Sequence, residues 1–205
     1  IEMALASFKH QDSVHYIGFD LFEDATTITD HEEFNVKPHN TMEAVEKRFT
    51  EFAEHMQEKE KKTFTFELTK GDVRVTLDKF VKTEVLNEVD FALMGSGNSV
   101  ETTKIEYEAF KNIPIVVADH YFTKESDEDE TMPPERYHGV KNVFDSVKTQ
   151  MVNKEEEDTE GWTVFEEEDG IRKYILPSQD KVAGGGHTHL VLFLHDTTLE
   201  KVYQR

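Results

Sequence analysis

Asp20, Gly71-Asp72, Gly95-Ser96-Gly97-Asn98 and Asp119-His120 are the residues whose types and spacing suit chemistry. Each group closes a β-rich run: "VHYIGFD" ends on Asp20, "TFTFELTKGD" on Asp72, "VDFALM" on the glycine loop and "IPIVVAD" on Asp119. A carboxylate accepts two hydrogen bonds at once, so Asp20 suits a pair of ribose hydroxyls and Asp72 an adenine amino group. Asp119 and His120 set an oxygen and a nitrogen donor side by side, which suits general-base work or a divalent cation. Gly95 to Asn98 is too short for a phosphate-cradling loop, and no Lys-Ser/Thr pair follows it.

These residues act together only if the runs they close lie along one sheet edge, where ligands of open α/β sheets bind. Residues 41–62 carry Met42, Val45, Phe49, Phe52 and Met56 at steps of three and four, which predicts an amphipathic helix capped by Asn40 or Thr41. Phe64, Phe66 and Leu68 alternate as in a strand, and "VRVTLDKFVKTEV" reads as a short helix. Residues 89–94 and 113–119 are continuous apolar runs of the kind buried on both faces. Between them "SVETTKIEYEAFK" is a helix, with Asn98 or Ser99 as cap and Glu101 available for a capping box. Residues 21–40 are polar, contain Pro38 and predict little regular structure.

Strand and helix alternate up to residue 119, which predicts a single α/β domain with a Rossmann-like, mostly parallel sheet flanked by helices. Residues 136–151 read as a further helix. "WTVFEEEDGIRKYILP", with its Asp169-Gly170 turn, and the strand "THLVLFLHD" predict an antiparallel C-terminal hairpin.

In this order the segments "YIGFDLFED", "ELTKGDVRVTL", "VDFALMGSGNSVETTKIEYEAF" and "PIVVADHYF" resemble a class I S-adenosylmethionine-dependent methyltransferase. The macrocin-type small-molecule O-methyltransferases are nearest, and "RKYILPSQDKVAGGGHTHLVLFLHD" resembles their closing antiparallel strands. The resemblance implies S-adenosylmethionine as cofactor, with Asp20 at its ribose, Asp72 beside its adenine, and Gly95 and Ser96 against it. It implies a small hydroxylated acceptor, with Asp119, His120 and Asn98 as the catalytic group. Metal-dependent members often carry Asp-Asp where Asp119 and His120 stand, so these two are also the candidate ligands of a magnesium ion that orients substrate oxygens. The family's glycine-rich loop after its first strand has no counterpart here. "IEMALASF" begins with Ile1, Ala4, Leu5 and Phe8 already at helical spacing, so that loop and strand are expected upstream of residue 1.

The sequence departs from the family after the fourth strand, where an acid and a histidine are replaced by Gly95 and Asn98. Neither can act as a base or bind magnesium strongly. A second reading is therefore a catalytically degenerate, methyltransferase-like binding or assembly subunit. His187, His189 and His195 share one strand face, and a metal-dependent hydrolase using the His187/His189 region is a third reading. Trp162 and Phe165 read as hydrophobic cover at a sheet edge, and "SDEDE" and "KEEEDTE" as solvated charge runs lacking the ligand ladder of a calcium loop.

Composition narrows the partners. Forty-three acids against 23 bases give a formal charge of −20, which opposes binding to nucleic acid and to anionic membranes. No apolar run reaches membrane-spanning length. With no cysteine there are no disulfides and no thiolate chemistry, which suits a cytoplasmic protein acting on a small molecule. Homo-oligomeric assembly stays open.

Overall fold

The computed structural model describes residues 1–33, 38–95, 97–124, 138–147, 163–166, 171–176, 180–182 and 186–195. The chain divides into two compact units, residues 1–29 with 36–76, and residues 30–35 with 77–205.

The first unit holds α1 (Glu2–Ser7), β1 (Ser13–Asp20), a 3-10 turn (Phe22–Asp24), α3 (Met42–His55) and β2 (Thr63–Lys70). Before α3 the chain forms α2 (Thr27–Glu32), in a stretch expected to be irregular. Its Thr, Ile and Asp residues carry no apolar stripe to reveal a helix, and none of them is buried. The predicted cap of α3 is Thr41, whose hydroxyl accepts from the Ala44 amide at 3.1 Å. β1 and β2 pair in parallel, from Ser13 opposite Thr63 to Asp20 opposite Lys70. The aromatic stripe of α3 is packing, as its period predicts. Phe49 meets Tyr16, Phe64 and Phe66 edge-on at 5.1, 5.7 and 5.3 Å, and Phe52 meets Phe64 at 5.0 Å. Ala4, Phe8 and Met56 close this core.

After α4 (Val73–Phe80), the second unit forms β3 (Phe91–Met94), α5 (Val100–Phe110), β4 (Ile115–Lys124) and α6 (His138–Ser146). The short strands β5 (Thr163–Glu166), β6 (Ile171–Ile175) and β7 (Asp180–Val182) precede β8 (Gly186–His195). The sheet order is β3-β4-β8-β6-β5, with β7 also on β8. β3 and β4 are parallel, and the remaining pairs are antiparallel. This six-stranded sheet is thus mixed, separate from the parallel β1-β2 pair, and its antiparallel part is wider than one hairpin because β8 takes β4 on one side and β6 and β7 on the other. Val116, Ala118, Val191 and Phe193 form the buried sheet face. Tyr107 of α5 and Phe144 of α6 cover Phe193 at 5.0 and 6.1 Å.

Two strand expectations are corrected. β3 is not buried on both faces: Ala92 and Met94 are buried, while Phe91 and Leu93 are 41% and 46% exposed. A continuous apolar run does not distinguish one covered face from two. β4 does not end on Asp119-His120 but runs on to Lys124. Among the described residues, no helix is long and apolar enough to cross a membrane.

Candidate functional site

Asp119 and His120 form a bulge inside β4. Ala118 pairs with Val191 and Tyr121 with His189, so two residues of β4 oppose the single Leu190. His120 adopts the left-handed conformation, φ 69°, which costs a non-glycine residue about 1–3 kcal/mol. Hydrogen bonding meets that cost in part. The His120 amide donates to Asp119 Oδ1 at 2.7 Å, and the ring Nδ1 lies 2.9 Å from Asn98 Oδ1. His120 Nε2 is 3.7 Å from Asp119 Oδ2. The three residues expected to carry chemistry, Asn98, Asp119 and His120, are therefore together.

Asn98 is held in place by a residue that sequence reasoning passed over. Glu33, half-buried just after α2, accepts at Oε2 from the amides of Asn98 and Ser99, at 3.0 and 2.9 Å. Its Oε1 accepts from the hydroxyls of Ser99, at 3.0 Å, and Thr102. Its backbone carbonyl accepts from Asn98 Nδ2 at 3.0 Å. A carboxylate is favoured at this point because the orphan amides and the dipole of α5 converge there. Ser99 is the helix cap, its hydroxyl accepting from Thr102 N at 3.2 Å. Glu101 is exposed, and the acid completing the cap is Glu33, 66 residues before Ser99 in the chain. One glutamate of the Glu32-Glu33 pair, in so acidic a sequence, gives no signal of that contact.

These bonds favour one tautomer of the ring. A carbonyl oxygen only accepts, so Nδ2 of Asn98 faces Glu33 and Oδ1 faces His120. Nδ1 of His120 is then the donor, and in the neutral ring Nε2 carries the lone pair.

The glycines differ in purpose. A Cβ on Gly97 would strike Thr102 and the Glu33 carboxylate, and one on Gly139 would strike Thr103 and the carbonyls of Asn98 and Ser99. Both are glycine because the starts of α5 and α6 and the Glu33 side chain approach so closely. A glycine in the first turn of a predicted helix, as Gly139 is, is the trace this leaves in the sequence. A Cβ on Gly95 would meet nothing within 4 Å, so that glycine borders open space. Ser96 lies outside the described residues, as do Trp162 and the side chains of His187, His195 and Phe165.

In the first unit, Asp20 ends β1 and Asp72 follows β2, so both expected cofactor acids sit at the carboxyl end of one parallel pair. Asp20 is exposed, and its Oδ1 accepts from Phe22 N at 2.6 Å. Asp72 is engaged by Arg74, whose Nε and Nη2 reach it at 3.0 and 2.6 Å and whose amide reaches Oδ1 at 2.9 Å. The Arg74 guanidinium holds this carboxyl below the usual range.

His189 Nδ1 donates to the Leu176 carbonyl at 2.8 Å, which fixes its ring against β6's end. Among the described residues no three His, Asp or Glu side chains gather as a metal site. Asp119 and His120 thus offer a two-donor set, one of them nitrogen, with Asp119 Oδ1 already accepting an amide. That set fits magnesium poorly, since this ion favours octahedral oxygen.

The chain matches no protein-family model, and no curated protein is similar to it at a significant level.

Proposed function

We propose that this chain is a methyltransferase on a Rossmann-like fold, transferring the methyl group of S-adenosylmethionine to a hydroxyl of a small molecule. The observation that carries this reading is the Asn98–His120 hydrogen bond at the β4 bulge, 2.9 Å long, which leaves Nε2 as the basic nitrogen. Supporting it are the helix-linked parallel pairs β1-β2 and β3-β4, and the placing of β8, antiparallel, between β4 and β6. That placing agrees with the closing strands the resemblance implies.

S-adenosylmethionine, when bound, supplies an electrophilic methyl group. The chain's own part is to hold the acceptor hydroxyl and take its proton. His120 Nε2 would take that proton as the methyl carbon passes from the cofactor sulfur, which leaves as a neutral thioether, to the acceptor oxygen. The protonated ring then has two donors, and each faces an acceptor: Asn98 Oδ1 at Nδ1 and Asp119 Oδ2 near Nε2. Because the ring can act alone, no step runs through a metal. Asp20 and Asp72 are the proposed ribose and adenine contacts, and the open space at Gly95 leaves room beside the catalytic loop.

One observation favours the second reading, a binding or assembly subunit without turnover: Asp72 is already paired with Arg74. Titration calorimetry with S-adenosylmethionine tests the cofactor assignment. Micromolar binding weakened at least tenfold by Asp20→Ala supports it, and unchanged affinity in that variant removes it.

A further inference from the structure

We infer that Glu33 is the positioning residue of this site, the group that decides which nitrogen of His120 carries the proton. The inference rests on His120 as the base only for its effect on turnover; the tautomer itself is a property of the protein alone.

Asn98 can present either end of its amide to His120. With Oδ1 forward, Nδ1 donates and Nε2 is basic. With Nδ2 forward, Nδ1 becomes the acceptor and Nε2 carries the proton, so no base faces the substrate. Nothing in the Asn98–His120 pair itself chooses between these states, and the Asp119 carboxylate, 3.7 Å from Nε2, pulls the proton towards that nitrogen. The preference for Nδ1 comes from the other side of Asn98, where Nδ2 donates to the Glu33 carbonyl at 3.0 Å.

That carbonyl is kept there by the Glu33 carboxylate. Its two oxygens accept from two backbone amides and two hydroxyls at the start of α5, all within residues 98–102. The side chain thus anchors its own backbone against Asn98. Gly97 completes the arrangement, since any side chain there would displace the carboxylate. Thr102, which donates to the carboxylate, is 2% exposed, and the neighbouring Thr103 donates to the Ser99 carbonyl at 2.8 Å. Four bonds from one carboxylate is more than a helix cap requires. The outcome is that a residue without reach to the reacting atoms sets the proton on the base.

Glu33→Ala removes the anchor. Glu33→Gln keeps an oxygen for the two amides and offers its NH2 to the hydroxyl oxygens, so it should rescue the arrangement. The readout is the long-range nitrogen–proton correlation spectrum of the histidine rings at about pH 9, above the ordinary histidine pKa of about 6.5. His120 is assigned by the signals that His120→Asn removes. The expected result is a pure Nδ1–H ring in the wild type and in Glu33→Gln, and a mixture of tautomers in Glu33→Ala. Neither acceptor nor cofactor is needed for this measurement.

With turnover in hand, Glu33→Ala should lower kcat about tenfold, the worth of about one hydrogen bond of preference, with KM little changed. Should Glu33→Ala not fold, Glu33→Asp takes its place, keeping the charge but shortening the reach by one methylene, with the same two outcomes. A folded variant that keeps the pure Nδ1–H ring overturns the inference. A wild type without methyl transfer contradicts the proposed function and leaves the tautomer result standing.

Discussion

His120 and Asn98 stand 22 residues apart in the chain, and their side chains meet at 2.9 Å through Nδ1 and Oδ1. One sits in a strand bulge at φ 69°, the other just before a helix cap, so the contact joins the start of the β3-α5-β4 crossover to the bulge inside β4. A bulge turns a residue out of the alternation of its strand, and here it turns a basic ring toward the loop that precedes α5.

Replacing the ring should remove the chemistry and leave the fold. His120→Gln is predicted to lower kcat at least about 100-fold, the ordinary contribution of a general base, while changing cofactor affinity less than threefold. Asn98→Ala should cost less, about tenfold, since the base remains but loses its fixed tautomer. Single-turnover kinetics compares the two; equal losses would assign Asn98 a direct part in the reaction.

The glycines should separate by their surroundings. Gly97→Ala and Gly139→Ala force atoms into occupied space and are predicted to destabilise the protein by about 1–3 kcal/mol each. Gly95→Ala meets nothing and should fall within about 0.5 kcal/mol of the parent. Urea denaturation measures all three, and a Gly95→Ala as damaging as Gly97→Ala would contradict the geometry.

Acid should weaken the first unit through Glu23. The Met42 amide and then the Lys70 ammonium bring this carboxyl down from its ordinary 4.5 to about 2. A group whose pKa is depressed by folding contributes stability above its unfolded pKa and loses it as pH falls through the folded one. The contribution is therefore full above pH 4.5 and fades towards pH 2. Thermal unfolding across that window should show a shallower decline in Glu23→Gln than in the parent, while Asp72, held by Arg74, adds a slope of the same sign to both.

Lys173 should matter to folding although it is remote from the proposed chemistry. It is 3% exposed, and its ammonium donates to the carbonyls of Phe144 and Val147 at 2.7 Å each, at the end of α6. It also lies 4.2 Å from the centre of the Phe144 ring. A cation there satisfies terminal carbonyls and complements the helix dipole. Lys173→Met should cost about 1–3 kcal/mol by leaving those carbonyls unpaired. A neutral result in chemical denaturation would show that the carbonyls find other donors.

Much of the fold is legible in the sequence where one physical rule acts alone. The period of Phe49, Phe52 and Met56 and the alternation of Phe64 and Phe66 each follow from a single buried face, and both faces exist. The bulge at Asp119-His120 is not legible, because nothing local distinguishes a strand that ends from one that takes in an extra residue. Glu33 was missed for a related reason. Its partners are distant in the chain, and its neighbours carry no pattern, so only tertiary contact reveals its role. Asn98 and His120 were expected at one site from their places at strand ends, but not as hydrogen-bond partners, since that bond depends on the bulge.

The most direct test of the account is methyl transfer itself: labelled S-adenosylmethionine, a panel of small hydroxylated acceptors, and the parent protein beside His120→Gln. The account predicts label on at least one acceptor with the parent, undiminished by a chelator, and a loss of at least about 100-fold in the variant. Cofactor binding without transfer to any acceptor, or equal transfer by parent and variant, would contradict it.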